Sequence, residues 1–144
     1  MKYNIEIDIK LPIDEIMLLL EDRQNDKKWQ EGLDNFQHLE GNAGKEGAKS
    51  KITYIFGKRK IEIKETIIKK TLNKSSFEYE SNMVYNIVEN SFTSIDQNNT
   101  KWKQHHNFRG KSILLKIMIR LMPNMFKKQS IKFLNNFKKF AETN

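Results

Sequence analysis

Along this chain the spacing of apolar residues switches between two periods, and the order of the switches is its most informative feature. Tyr3, Ile5, Ile7 and Ile9 alternate with Asn4, Glu6, Asp8 and Lys10, which predicts a strand with one buried face. Pro12 ends it and suits the first turn of a helix, and Ile13, Ile16, Met17 and Leu20 then recur at helical spacing. The polar run EDRQND breaks that helix, and a second short helix carries Trp29.

A long strand-patterned region follows. Leu33 to Leu39 reads as a strand, and the glycine-rich EGNAGKEG as a turn. Ile52, Tyr54 and Phe56 then share one face, and Gly57, Lys58 and Arg59 make a hairpin turn. The returning strand puts Ile61, Ile63, Glu65 and Ile67 on one face. Phe77 and Tyr79 mark the next strand, and Met83 to Ile95 another, with less clean alternation. After the turn DQNN, Trp102, Gln104, His106 and Phe108 fall on one face, with Lys101, Lys103, His105, Asn107 and Arg109 on the other. Beyond Gly110 the period becomes helical and runs to the end. Pro123 kinks or breaks the helix, and Phe126, Phe133, Leu134, Phe137 and Phe140 then form a stripe opposed by lysines. The prediction is an α+β chain: one strand, two short helices, an antiparallel meander and a long closing helix. No repeat or linker divides it, so residues 1–144 are expected to form a single domain.

Composition narrows the chemistry. Without cysteine there is no disulfide framework, thiolate metal site or thiol catalysis. The alternating N-terminus lacks the apolar run of a secretory signal, so the expectation is a cytoplasmic protein. The apolar stretch from Ile113 to Met122 is interrupted by Lys116 and Arg120 and is too short to span a bilayer. The net charge of +8 is unevenly placed: residues 101–144 hold 11 Lys/Arg and one acid, a balance of +10, while residues 1–100 balance at −2.

The ordered set of features resembles the START/polyketide-cyclase superfamily, the helix-grip fold, over essentially the whole length. An alternating strand runs into LPIDEIMLLL, Trp29 falls in the second short helix, and Gly47 opens the meander. A glycine hairpin at Gly57 precedes IEIKETI, whose Glu65 matches a frequent family acid. NNTKW is similar to the family's turn-threonine entry to the last strand, and FLNNFKKFAE to its helix end. The proline often found beside the tryptophan is missing, and Asn99 replaces the glycine often found before the threonine. The resemblance implies a curved antiparallel sheet of about six or seven strands wrapped on the last helix. It also implies a cavity for a lipid, sterol-like, quinone or polyketide-like molecule, with no cofactor.

The candidate site follows from the inward positions. Tyr54, Phe56, Phe77, Tyr79, Tyr85, Trp102 and Phe108 supply aromatic wall, and Ile63 lies beside Glu65. Ligand pockets are mostly apolar with a few placed polar groups. Met118, Met122 and Phe126 are expected on the helix as the lid side, methionine being able to repack around varied shapes. Glu65, Gln104 and His106 are the polar residues on otherwise apolar faces. They either meet a ligand, act as acid and base, or satisfy one another internally; no catalytic residue is assigned. His105 and His106 point to opposite sides of their strand, so with His38 alone remaining no metal site is expected.

The expected function is binding, and carriage, of a small hydrophobic molecule. The rivals are a polyketide cyclase or dehydratase, marked by polar groups converging in the cavity with shifted pKa values, and a chaperone-activator-like protein-binding module. The basic C-terminal third raises peripheral contact with an anionic membrane. No stacking platform or nucleic-acid motif accompanies the charge, so nucleic acid is not the expected partner. Oligomeric state is left open.

Overall fold

The structure, a computed structural model, describes residues 1–143. Seven strands form one antiparallel sheet: β1 (Lys2–Ile9), β2 (Leu33–Glu40), β3 (Lys49–Phe56), β4 (Arg59–Lys70), β5 (Lys74–Glu80), β6 (Val84–Asp96) and β7 (Asn99–Gly110). The order across it is β1-β7-β6-β5-β4-β3-β2, so every neighbouring pair but one is a sequential hairpin. The exception is β1, which lies along β7 with Ile5 opposite Gln104 and Ile7 opposite Trp102. Between β1 and β2 run α1 (Ile13–Glu21), a 3-10 turn (Arg23–Asn25) and the single-turn α2 (Asp26–Trp29). The C-terminal helical region is two helices, α3 (Ile113–Leu121) and α4 (Pro123–Thr143).

Local chemistry sets these boundaries. β3 and β4 join through a two-residue turn whose Gly57 has φ of 63°, a conformation that an L side chain disfavours at the first turn position. Pro123 opens α4, where its missing N–H loses nothing, and the helical region is broken there, as the sequence pattern predicts. Gly110 ends β7 at a close approach: a Cβ there would meet the Lys116 backbone nitrogen at 3.1 Å.

The core lies where α4 crosses the cupped face near β1 and β7. Ile5, Ile9, Ile16, Phe92, Trp102, Leu134, Phe137 and Ala141 are buried together with Trp29. Phe137 is fully enclosed and meets Trp29 and Trp102 edge-on, at ring-centroid separations of 5.1 and 5.4 Å. Thr100, also fully buried, donates its hydroxyl to the Leu11 carbonyl at 2.8 Å and ties the start of β7 to the exit of β1. On the outer face Lys101 pairs with Asp8 at 2.7 Å and Glu6 at 3.5 Å. The expected register of β7 therefore holds, with its lysines outside.

Phe137→Ala is expected to destabilise the protein by about 3–5 kcal/mol, the usual loss for emptying a packed aromatic site. Thr100→Val, which leaves the Leu11 carbonyl without its partner, is expected to cost about 1–3 kcal/mol. Denaturant titration of both variants measures this, and an effect under about 0.5 kcal/mol for Phe137→Ala would be inconsistent with the packing described.

Candidate functional site

The crossing helix fills only part of the sheet's concavity. Between the inward faces of β2–β7, α1, α2 and α4 lies a cavity of about 630 Å³. Its apolar lining includes Trp29, Phe36, Ile52, Tyr54, Phe56, Ile61, Ile63, Phe77, Val88 and Phe133. Of the residues anticipated from sequence, Tyr54, Phe56, Ile63, Glu65, Phe77, Tyr79, Trp102, Gln104, His106 and Phe108 all border it.

Four anticipated residues do not. Tyr85 lies on the outer face, where its hydroxyl donates to Glu78 at 2.6 Å and Arg109 sits 4.9 Å from its ring centre. The parity of β6 explains this: Val84, Asn86, Val88, Asn90 and Phe92 turn inward, so Tyr85 and Ile87 turn outward. Met118, Met122 and Phe126 are the others. The break at Pro123 gives the helical wall to Gln129, Ser130 and Phe133 instead. Met122 is about half exposed, and Phe126 packs on Phe108 at 4.7 Å.

Two polar clusters border the cavity. In the first, Arg23 reaches both oxygens of the buried Glu65 carboxylate, at 3.3 and 3.4 Å. Its Nε lies 2.7 Å from the carboxylate of the equally buried Asp26, and its guanidinium stands 4.0 Å over the Phe36 ring. With all three ionised the cluster carries one net negative charge. Burial pushes the Asp26 carboxyl up to about 6, against the pull of Arg23 and with help from the Glu65 charge. Burial, reinforced by Glu65, also raises the Tyr79 phenol well above its ordinary range. Tyr54, raised by the same causes, donates to Gln30 at 2.7 Å. Arg23 and Asp26 were missed in the sequence because EDRQND reads as a helix break. The available signal was Glu65, since a buried carboxylate requires a partner.

The second cluster is a hydrogen-bonded chain across β6 and β7. Trp102 Nε1 and Gln104 Nε2 both donate to Asn90 Oδ1 at 2.9 Å. Gln104 Oε1 lies 2.9 Å from His106 Nε2, and His106 Nδ1 lies 3.1 Å from Asn86 Nδ2. An indole can only donate, and that fixes the bonds as far as the imidazole. Asn90 presents oxygen, Gln104 must donate its amide N–H there, and its oxygen therefore accepts from His106 Nε2–H. Burial pushes this imidazole down to about 4, with the His105 charge a lesser cause, which favours the neutral ring, whose Nδ1 then accepts from the Asn86 amide. Tyr3 stacks on it at 4.6 Å. His105 projects to the opposite face, 2.6 Å from Asn4 Oδ1. Among the described residues no group of three or more His, Asp or Glu side chains is placed to hold a metal ion.

No family model matches the sequence, and no curated protein matches it either. Solved structures do match the fold. The chain is similar to Ara h 8.0201 at 12% identity and a TM-score of 0.75, covering 100% of this chain and 99% of that one. It is similar to the Zhui aromatase/cyclase from a Streptomyces species at 12% identity and a TM-score of 0.76, covering 99% and 93%. It is also similar to norcoclaurine synthase from Thalictrum flavum, solved with dopamine and hydroxybenzaldehyde, at 13% identity and a TM-score of 0.70, covering 98% and 86%. At such identities the likeness concerns the fold: this chain has the helix-grip fold.

The two clusters predict opposite pH dependences. For His106, lowered from 6.5 to about 4, the unfolded chain takes the proton first, so stability is lost as pH falls through that window. For Asp26, raised from 3.8 to about 6, the folded chain takes it first, so stability is gained as pH falls. Between pH 4 and 6 the two offset one another. His106→Gln is therefore expected to gain stability on acidification relative to wild type, and Asp26→Asn to lose it, each by up to about 3 kcal/mol. Urea midpoints against pH measure both, and parallel profiles would refute the assignment.

Proposed function

We propose that this protein binds a small hydrophobic molecule in its internal cavity and carries it. The observation behind this reading is the cavity itself, about 630 Å³ with a mainly aromatic and aliphatic wall. A chain that needed only a core would close that space, because interiors pack densely and voids cost stability. The polar groups present add a preference. Arg23 is already committed to two carboxylates, and burial favours a neutral His106, so at these two clusters the lining offers no free cation; its lysines are Lys70 and Lys74. A neutral or amine head group suits the site better than a carboxylate.

A second reading, a cyclase or dehydratase acting on a polyketide-like substrate, is favoured by one specific observation. Asp26, held near 6, stands beside Glu65 with Tyr54 and Tyr79 close by, a convergence suited to proton transfer. Turnover of a linear poly-β-ketone that disappears in Asp26→Asn, with probe binding retained, would support it over simple carriage. The outer surface bears separately on peripheral contact with an anionic membrane.

An apolar fluorescent probe is expected to bind at 1:1 stoichiometry. Ile63→Trp, which fills the cavity from a half-buried position, is expected to weaken it by about tenfold or more, as a blocked apolar pocket should; the outward Lys103→Ala should not. Trp102→Ala is a poorer test, because Trp102 belongs to the packed core. In competition, a long-chain alcohol and amine should displace the probe better than the carboxylic acid of equal length. Absence of any probe binding would end the carrier reading. Displacement by the acid alone would end only the head-group preference.

A further inference from the structure

The helix α3 is apolar on both sides, and only one side is covered. Leu115 is its one buried residue, held against the end of β7, where Gly110 allows close contact. On the other side Ile113 is 77%, Leu114 66%, Ile117 49% and Leu121 73% exposed. Leu114, Ile117 and Leu121 recur at steps of three and four, so they form one row along the helix. Met122 and Met125 continue the exposed apolar surface into α4. The half-exposed Met83 adjoins its start, since the Met83 carbonyl accepts from Lys111 N at 2.8 Å. Scattered exposed leucines are ordinary, but a continuous apolar face on a protruding helix marks a surface that something covers.

The charge around the face identifies what covers it. Residues 111–128 contain Lys111, Lys116, Arg120, Lys127 and Lys128 and no acid. Lys111 reaches Glu80 at 2.7 Å. Among the described residues the other four make no salt bridge. A second copy of this chain on the same face would bring two such collars together, which opposes self-association. A surface with anionic head groups over an apolar interior matches both the row and the collar. Among the described residues no helix is long and apolar enough to cross a bilayer, so the geometry is that of a helix lying in the interface.

We propose that α3 and the first two turns of α4 dock this protein on an anionic membrane surface. Ile113, Leu114, Ile117 and Leu121 enter the boundary between head groups and acyl chains, and Lys116, Arg120, Lys127 and Lys128 contact the phosphates. This goes beyond the cavity reading and does not depend on it.

The test is co-sedimentation of the full chain with vesicles of phosphatidylcholine alone and of phosphatidylcholine mixed with phosphatidylserine. Binding is expected to be at least about tenfold stronger to the mixed vesicles and to weaken as salt shortens the Debye length from about 10 Å at 0.1 M to about 3 Å at 1 M. Lys116→Glu with Arg120→Glu should lower it by about tenfold or more, each cation near such a surface being worth roughly a factor of five. Leu114→Ser with Leu121→Ser should lower it on both vesicle types, and both sites are open enough that thermal unfolding should not move. Equal binding to the two vesicle types, or none to either, overturns the proposal. So does a dimer, seen by sedimentation, that the Leu114→Ser and Leu121→Ser variant dissociates, since a second copy would then be the cover.

Discussion

Everything in this molecule hangs on the wedge of Phe137 between Trp29 and Trp102. The three rings come from α4, α2 and β7, so one contact joins the closing helix to the early helical segment and to the sheet. It also sets where α4 can lie. Pinned over β1 and β7 at its C-terminal half, the helix cannot also cover β3, β4 and β5, and the uncovered concavity becomes the cavity. The cavity is therefore a by-product of where the core is anchored. Its wall is made of residues that would be core in a protein whose helix sat more centrally.

The fold was largely legible because its strands alternate cleanly where one face meets apolar surroundings. β1, β3, β4 and β7 show this, and their inward residues were read correctly down to Glu65 and His106. β6 was harder for a physical reason. Its inward positions include Asn86 and Asn90 and its outward ones Tyr85 and Ile87, so its pattern runs against the rule. The asparagines are inside because Trp102, Gln104 and His106 need partners across the strand pair, a requirement of the neighbouring strand that β6 alone does not reveal. Tyr85 was misplaced as a result. The helix was misread for a similar reason: an apolar stripe gives the period of a helix but not which side meets the protein. Only Leu115 of α3 is enclosed, and the break before Pro123 moved the lid residues out of the cavity.

The two polar clusters differ in kind. The Asn–His–Gln–Asn–Trp chain is closed along most of its length, with the directions from Trp102 to His106 dictated by a donor-only indole, and a closed network of this type specifies shape. The Arg23 cluster is not neutral within itself. Two carboxylates share one guanidinium, and Asp26 is raised chiefly by burial, with the Glu65 charge adding to it. Buried ion pairs are weak grounds for stability and stronger ones for specificity or function. Polar groups with shifted acidity therefore gather at the α2–β4 side, while the β6–β7 side holds the wall in place.

The pairing of β1 with β7 has a consequence for how the chain is made. A ribosome releases Lys2–Ile9 well before the strand it must join, which ends at Gly110, and its packing partners on α4 come later still. The hairpins from β2 to β7 can assemble locally as they emerge, whereas β1 must wait, unpaired, for most of synthesis. Its alternation of Asn4, Glu6 and Asp8 with the apolar residues then has a second use. An orphan strand with Glu6 and Asp8 on its outer face is poorly suited to pairing with a copy of itself on a neighbouring nascent chain. The same acids later meet Lys101 and Lys103 across the finished sheet, so charges that discourage the wrong partner during translation select the right one at its end.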